Sequence, residues 1–182
     1  LAKILGGGLP GGAVTGRAEI IDMIEAREGD AEFNRYRRIS HNGTFNANPL
    51  SAAAGIKCLE LVGTTPVNET ADARARQLKD SINDLLMRME IPGCCTGIAS
   101  VMFLRLGVDH ECDREYCVLT HEQASQANNA ARKAQLNLAM LNHGVQSGTR
   151  FILTSAHTED DIAFTVDALG KALTDVRELG LV

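Results

Sequence analysis

The chain has 182 residues, 45% of them hydrophobic and 23% charged, a balance that suits a globular protein and not a disordered one. A net charge of −5 and a pI near 5.5 argue against a nucleic-acid surface, which needs clustered Lys and Arg, and with aromatics at 4% and no Trp there is little for bases to stack on. No apolar run reaches the roughly 20 residues that cross a bilayer, so neither nucleic acid nor a membrane is an expected partner.

The length permits one large domain or two small ones. The start, Leu1 followed closely by Gly6-Gly7-Gly8, lacks the basic head and apolar core of a signal peptide and reads as the interior of a longer chain. Five cysteines (Cys58, Cys94, Cys95, Cys112 and Cys117) are odd in number and lack a disulfide-framework spacing. Reduced thiols and a cytoplasmic setting are therefore expected.

Residues 3–17, KILGGGLPGGAVTGR, hold too many glycines for a helix and read as a loop with short strands, of the kind that lets something approach the backbone closely. Ala18–Ala26 reads as a short helix, and residues 27–48 as polar loop. Asn48-Pro49 is a helix start, Asn at the N-cap and Pro at the first position. The helix from Leu50 to Val62 is apolar on several sides, so it is expected to be buried in a core or at a subunit contact.

A domain boundary is expected between Gly63 and Pro66, with Thr65-Pro66 capping the next helix as Asn48-Pro49 does. Val67, Ala71, Ala75, Leu78, Ile82, Leu85 and Met89 then recur at three- and four-residue spacings, one face of a long helix that Pro92-Gly93 stops. Ile98–Leu106 is strand-like. Thr120-x-x-Gln123 is a capping box that opens a helix with Ala124, Ala127, Ala131, Ala134, Leu138 and Leu141 on one face, closed by Gly144. Arg150–Thr154 reads as a strand. Thr158-x-x-Asp161 caps a last helix with Ile162, Val166, Leu169, Leu173 and Val176 inward. The order helix, strand, connection, helix, strand, helix makes this part an α/β or α+β domain.

Four groups of residues are candidates for chemistry. Lys3, beside three glycines, can sit under a planar ligand and, partly desolvated, form a Schiff base; alternatively it is an exposed lysine. Thr44 lies just ahead of the Asn48 helix start, where a hydroxyl and free N–H groups favour an anion; alternatively Asn42-Gly43 makes an ordinary turn. His110, Cys112, Cys117 and His121 are ligand types that suit zinc, but the spacing matches no closed zinc motif, and no metal is expected. His157, ahead of an N-cap, reads as structural, whereas Arg105 and Arg150 lie in apolar surroundings and could pair with a carboxylate.

Taken in order, three segments resemble one family. KILGGGLPGGAVTGR is similar to the stretch after the cofactor-binding lysine of class III aminotransferases, pyridoxal 5'-phosphate (PLP) enzymes of fold type I. GTFNANPLSAAAG, residues 43–55, resembles that family's second marker. RFILTSAHTEDDIAFTVDAL, residues 150–169, resembles its last strand and helix, most of all in the glutamate-1-semialdehyde aminomutase branch.

The resemblance implies an α/β fold, the C-terminal part of a fold type I transferase. Residues 1–62 would end the large PLP-binding domain, and residues 63–182 would form the small C-terminal α/β domain over the substrate side. Lys3 would hold PLP as a Schiff base and then carry the substrate's proton. Thr44 would bind the cofactor phosphate of the neighbouring subunit, so the active site would be shared across a homodimer. The reaction would move an amino group between a small-molecule donor, an amino acid or amine, and a keto acid or aldehyde acceptor. An intramolecular aminomutase reaction is the alternative within the same chemistry, and a non-catalytic dimerisation module is the alternative outside it. The family's remaining cofactor contacts lie upstream of the lysine, so the missing N-terminal part of the large domain would be a required partner. The 182 residues alone are expected to be inactive.

Overall fold

The computed structural model describes residues 1–109, 112 and 115–182. His110, part of the possible zinc set, lies outside the described residues. Contacts divide the chain into two compact units, Leu1–Thr65 and Pro66–Val182. No helix among the described residues is long and apolar enough to cross a membrane.

The first unit holds a 3-10 turn, Lys3–Gly6, and three helices: α1 (Ala18–Ile21), α2 (Ala31–Tyr36) and α3 (Pro49–Thr64). No strand forms over residues 1–17. The segment is instead tied by a reciprocal pair in which Ala13 N–H donates to the Leu1 carbonyl at 2.9 Å and the Leu1 amine to the Ala13 carbonyl at 2.7 Å. The helix expected over Ala18–Ala26 stops at Ile21. Asn48 caps α3 as its sequence requires: its Oδ1 accepts from the N–H groups of Leu50 and Ser51 at 3.0 and 3.1 Å.

This unit has almost no core of its own. Phe33, under the Arg27 guanidinium at 3.6 Å, is its one buried hydrophobic side chain among the described residues. In α3 only Gly55 is buried, while Leu50, Ile56 and Leu59 are 68%, 60% and 52% exposed. The expectation that this helix is buried in a core therefore fails within the chain. Its apolar residues surround the axis, and the unit supplies too few partners to cover them.

The second unit is built on α4 (Val67–Arg88) and α7 (Glu159–Glu178), with β1 (Gly93–Ile98), β2 (Val101–Leu106), α5 (His121–Ala127), α6 (Ala130–Asn142) and β3 (Arg150–Ile152) between them. The strands form one antiparallel sheet in the order β1-β2-β3. Alternation puts Cys95, Met102, Leu104, Leu106 and Phe151 on its inner face, all buried. They meet Ala75, Leu78, Ile82 and Leu86 of α4 and Leu169, Leu173 and Val176 of α7 in one core. Burying each of the Leu, Ile, Met, Phe and Val side chains among them contributes about 1.5–3 kcal/mol before conformational entropy is charged against it.

Three local expectations give way here. The single strand over Ile98–Leu106 is the second arm of a hairpin, whose turn at Ala99-Ser100 holds Ala99 at φ 52°. The helix after Thr120 breaks at Asn128, and Asn129 Oδ1 recaps the chain by accepting from Arg132 N–H at 2.9 Å. Thr65 does not cap α4; its hydroxyl donates back to the Leu61 carbonyl at 2.5 Å. The Thr120 and Thr158 capping boxes both form, and each is reciprocal.

Candidate active site

Lys3 opens the 3-10 turn with its own backbone in the left-handed region at φ 59°, and its side chain is exposed. A left-handed non-glycine residue is held there by its surroundings, and such positions gather at functional sites. Gly7 ends the turn at φ 60°, its N–H donating to the Ile4 carbonyl at 2.8 Å. A Cβ on Gly7 would stand 2.4 Å from the Ala54 carbonyl oxygen of α3. Only glycine lets the turn after Lys3 rest directly on the helix backbone.

Thr44 starts the turn that leads into α3, between Gly43 and the Asn48 cap, and is exposed. The N–H groups of the first turn of α3 are already engaged. Pro49 has none, Leu50 and Ser51 donate to Asn48 Oδ1, and Ala52 donates to the Asn48 carbonyl. Ahead of the cap the situation differs: among the described residues, the N–H groups of Thr44 and Phe45 donate no backbone hydrogen bond. A hydroxyl and two available N–H groups thus stand together near the positive end of a sixteen-residue helix.

The glycine segment and the Thr44 segment meet at one cavity of about 710 Å³, lined among others by Leu5, Gly6, Gly11, Phe45, Asn48 and Ser51. Thr44 adjoins Phe45 in sequence and Lys3 lies two residues before Leu5, but neither lines the cavity itself. Asn46 Nδ2 donates to the His41 carbonyl at 3.1 Å, which closes the loop that carries Thr44.

The remaining candidates lie in the second unit. His157 Nδ1 accepts from Thr154 N–H at 3.0 Å and so holds the loop before α7. Arg105 Nη1 donates to Thr96 Oγ1 at 2.8 Å on the outer face of the sheet, and Arg150 is exposed. His121 opens α5 and is exposed. Cys117 Sγ lies 3.7 Å from Cys94 Sγ, an approach that a separation of 23 positions hid from sequence reading. Among the described residues, no group of three or more His, Cys, Asp or Glu is arranged to hold a metal ion. Burial pushes the Cys95 thiol up to about 12, against the opposing pull of Lys79 and Arg105.

The model of the class III aminotransferases matches residues 1–144, and the chain belongs to that family. It is 33% identical over 184 residues to the glutamate-1-semialdehyde 2,1-aminomutase of Syntrophobacter fumaroxidans, covering 98% of this chain and 38% of that protein. The β-phenylalanine aminotransferase of Variovorax paradoxus superposes with a TM-score of 0.70 at 26% identity, over 98% of this chain and 38% of that one. A transaminase solved with PLP bound has the same fold over 99% of this chain, at a TM-score of 0.73 and 22% identity. The fold is the C-terminal portion of a fold type I transferase. The chain spans about two fifths of the length of the curated relatives it matches.

Proposed function

We propose that this chain carries the lysine of a PLP-dependent enzyme that transfers amino groups, with Lys3 as the residue that bonds the cofactor and Thr44 as a phosphate ligand. The observation that carries the reading is the seating of the turn after Lys3 on α3, backbone against backbone, which fixes the start of the chain's lysine-bearing segment. An amine fixed at the start of such a turn, and a hydroxyl with two free N–H groups ahead of a helix, fit an aldehyde-bearing phosphate ester in donor type and charge.

PLP, when bound, supplies an electron sink for the charge left at the substrate α-carbon. Lys3 holds the cofactor through its nitrogen and, once released, takes and returns the proton at that carbon. Thr44 Oγ1 and the N–H groups of Thr44 and Phe45 hold the phosphate. Residues 1–62 serve as the end of the large domain and residues 63–182 as the small one. The uncovered apolar side chains of α3, together with the single buried hydrophobic side chain of the first unit, support an assembly in which more of the large domain and a second subunit cover them. In that homodimer Thr44 serves the neighbour's cofactor. Five cysteines, all free thiols, support a cytoplasmic setting.

Small amino donors and keto or aldehyde acceptors are the substrates. Relatives named as glutamate-1-semialdehyde 2,1-aminomutases favour a second reading of the same site, in which the amino group moves within one molecule. Supplying glutamate-1-semialdehyde, and separately an amine with a keto acid, distinguishes the two. The deciding experiment for the site is borohydride treatment of the protein with PLP, followed by peptide mass analysis. The expected result is cofactor mass on Lys3; cofactor mass on another lysine, or on none, overturns the assignment.

A further inference from the structure

The sheet's outer face carries a group that amino transfer does not use. Cys94 directly opposes Arg105 in the β1–β2 register and so points away from the core that holds Cys95. It is nevertheless buried, at 5% exposure. Cys117, half-buried in the connection between β2 and α5, puts its Sγ 3.7 Å from Cys94 Sγ. Cys112 of the same connection, also half-buried, comes close enough to hydrogen-bond to Cys94.

The geometry points to Cys94 and Cys117 as a dithiol that a peroxide converts to a disulfide, fastening the β2–α5 connection to the outer face of β1. The sulfurs are in contact but not bonded, since a disulfide requires about 2.05 Å. Only one of the two thiols is accessible, and this sets the order of events. The Cys117 thiolate attacks one peroxide oxygen and breaks the O–O bond, giving a sulfenic acid and hydroxide. The Cys94 sulfur then attacks the Cys117 sulfur and breaks its S–O bond, and water leaves with the Cys94 proton. Two thiols and one peroxide thus become one disulfide and two waters, and two electrons pass from sulfur to oxygen. Burial, followed by the neighbouring Cys112 and Cys117 sulfurs, holds the Cys94 thiol far above the usual thiol range. Cys94 therefore stays protonated and does not meet the oxidant first; its attack on the sulfenic acid requires its proton to pass to the departing hydroxyl as the S–S bond forms.

The test is stepwise addition of hydrogen peroxide to the full chain, then alkylation under denaturing conditions and peptide mapping. The expected result is loss of two of the five thiols, a fall of about 2 Da in mass, and a single cross-linked peptide joining Cys94 to Cys117. Cys58, Cys95 and Cys112 should remain alkylatable. Cys117→Ser should abolish the cross-link and leave sulfenic or higher acids absent from Cys94, whereas Cys112→Ser should leave the cross-link intact. A bond from Cys117 to Cys112, equal oxidation of Cys58 at the same dose, or sulfinic acid at Cys117 without any cross-link overturns the proposal. Because mapping of the unsubstituted chain decides it, a variant that fails to fold does not.

Discussion

Gly55 of α3 lies so close to Leu5 that a Cβ placed on it would stand 2.6 Å from the Leu5 carbonyl oxygen. The obstacle is backbone on both sides, so it cannot swing away as a side-chain end would. Ala normally stabilises a helix interior by about 0.5–1 kcal/mol over Gly. Here the overpacking cost of about 1–3 kcal/mol wins, and Gly55→Ala should lower stability in urea denaturation. Gly63, in the same helix, has nothing within 4 Å of its Cβ position. Gly63→Ala should raise stability by about 0.5–1 kcal/mol. Opposite signs at two glycines of one helix are the expected outcome; equal signs would mean that the turn after Lys3 is not seated on α3.

In the protein assembled with the rest of its large domain, Lys3→Ala should abolish both turnover and reductive trapping of the cofactor. Because the side chain is exposed, its removal should change stability by no more than about 0.5 kcal/mol. A loss of activity that came with a lower denaturation midpoint would mean that Lys3 supports the fold. Measuring kcat/KM beside the midpoint separates the two roles.

Asn83 closes the open side of β1. Its Nδ2 donates to the Cys95 carbonyl at 2.8 Å, and its Oδ1 accepts from Cys95 N–H at 3.0 Å. Cys95 is fully buried, so both backbone groups would otherwise be stranded away from water. Asn83→Ala should cost about 1–3 kcal/mol and speed amide exchange at Cys95. Asn83→Asp should be no better, since it sets a carboxylate against a carbonyl oxygen. Unchanged exchange at Cys95 would dismiss the interaction.

Asp161 is held below the ordinary aspartate value of 3.8 by the backbone N–H and then the hydroxyl of Thr158, both of which donate to its carboxylate. A carboxyl whose folded value is depressed contributes stability above its unfolded value and loses it as pH falls through the folded one. The N-terminus of α7 should therefore fray on acidification below pH 3.8 while staying intact from there to neutrality. The Asp161 carboxyl signal should titrate below that of an unpaired aspartate, and Thr158→Ala should move it back up. The same substitution should cost about 1 kcal/mol through the lost cap. An unshifted titration would count against the reciprocal box.

The elements that sequence reading placed well announce themselves locally. The inward faces of α4 and α7 recur at helical spacing with large side chains, and the Thr120 and Thr158 boxes are signalled within four residues. The face expected to run on from α5 into α6 differs from the observed one because alanines at Ala124, Ala127, Ala131 and Ala134 suggest an apolar stripe without having to be buried. The side chains that do pack are Leu136, Ala139 and Met140, while Leu138 and Leu141 are 53% and 57% exposed. The β1–β2 hairpin escaped because its turn uses Ala99 at positive φ and not Gly or Asn, the residues that betray such turns. Lys3 and Thr44 came from the marker segments. The close approach of Gly7 to Ala54 and the common cavity depend on residues some fifty positions apart, which no local pattern encodes.

The Asn83 side chain also bears on how the protein survives as a solute. Exposed strand edges are templates on which other chains add strands and grow into aggregates. Here the middle of β1 offers neither donor nor acceptor at Cys95, because an amide from the neighbouring helix already occupies both. At the opposite margin β3 is only three residues long and begins with the charged Arg150, a poor seed for recruitment. Loss of that one amide should thus add turbidity on storage to the lost stability.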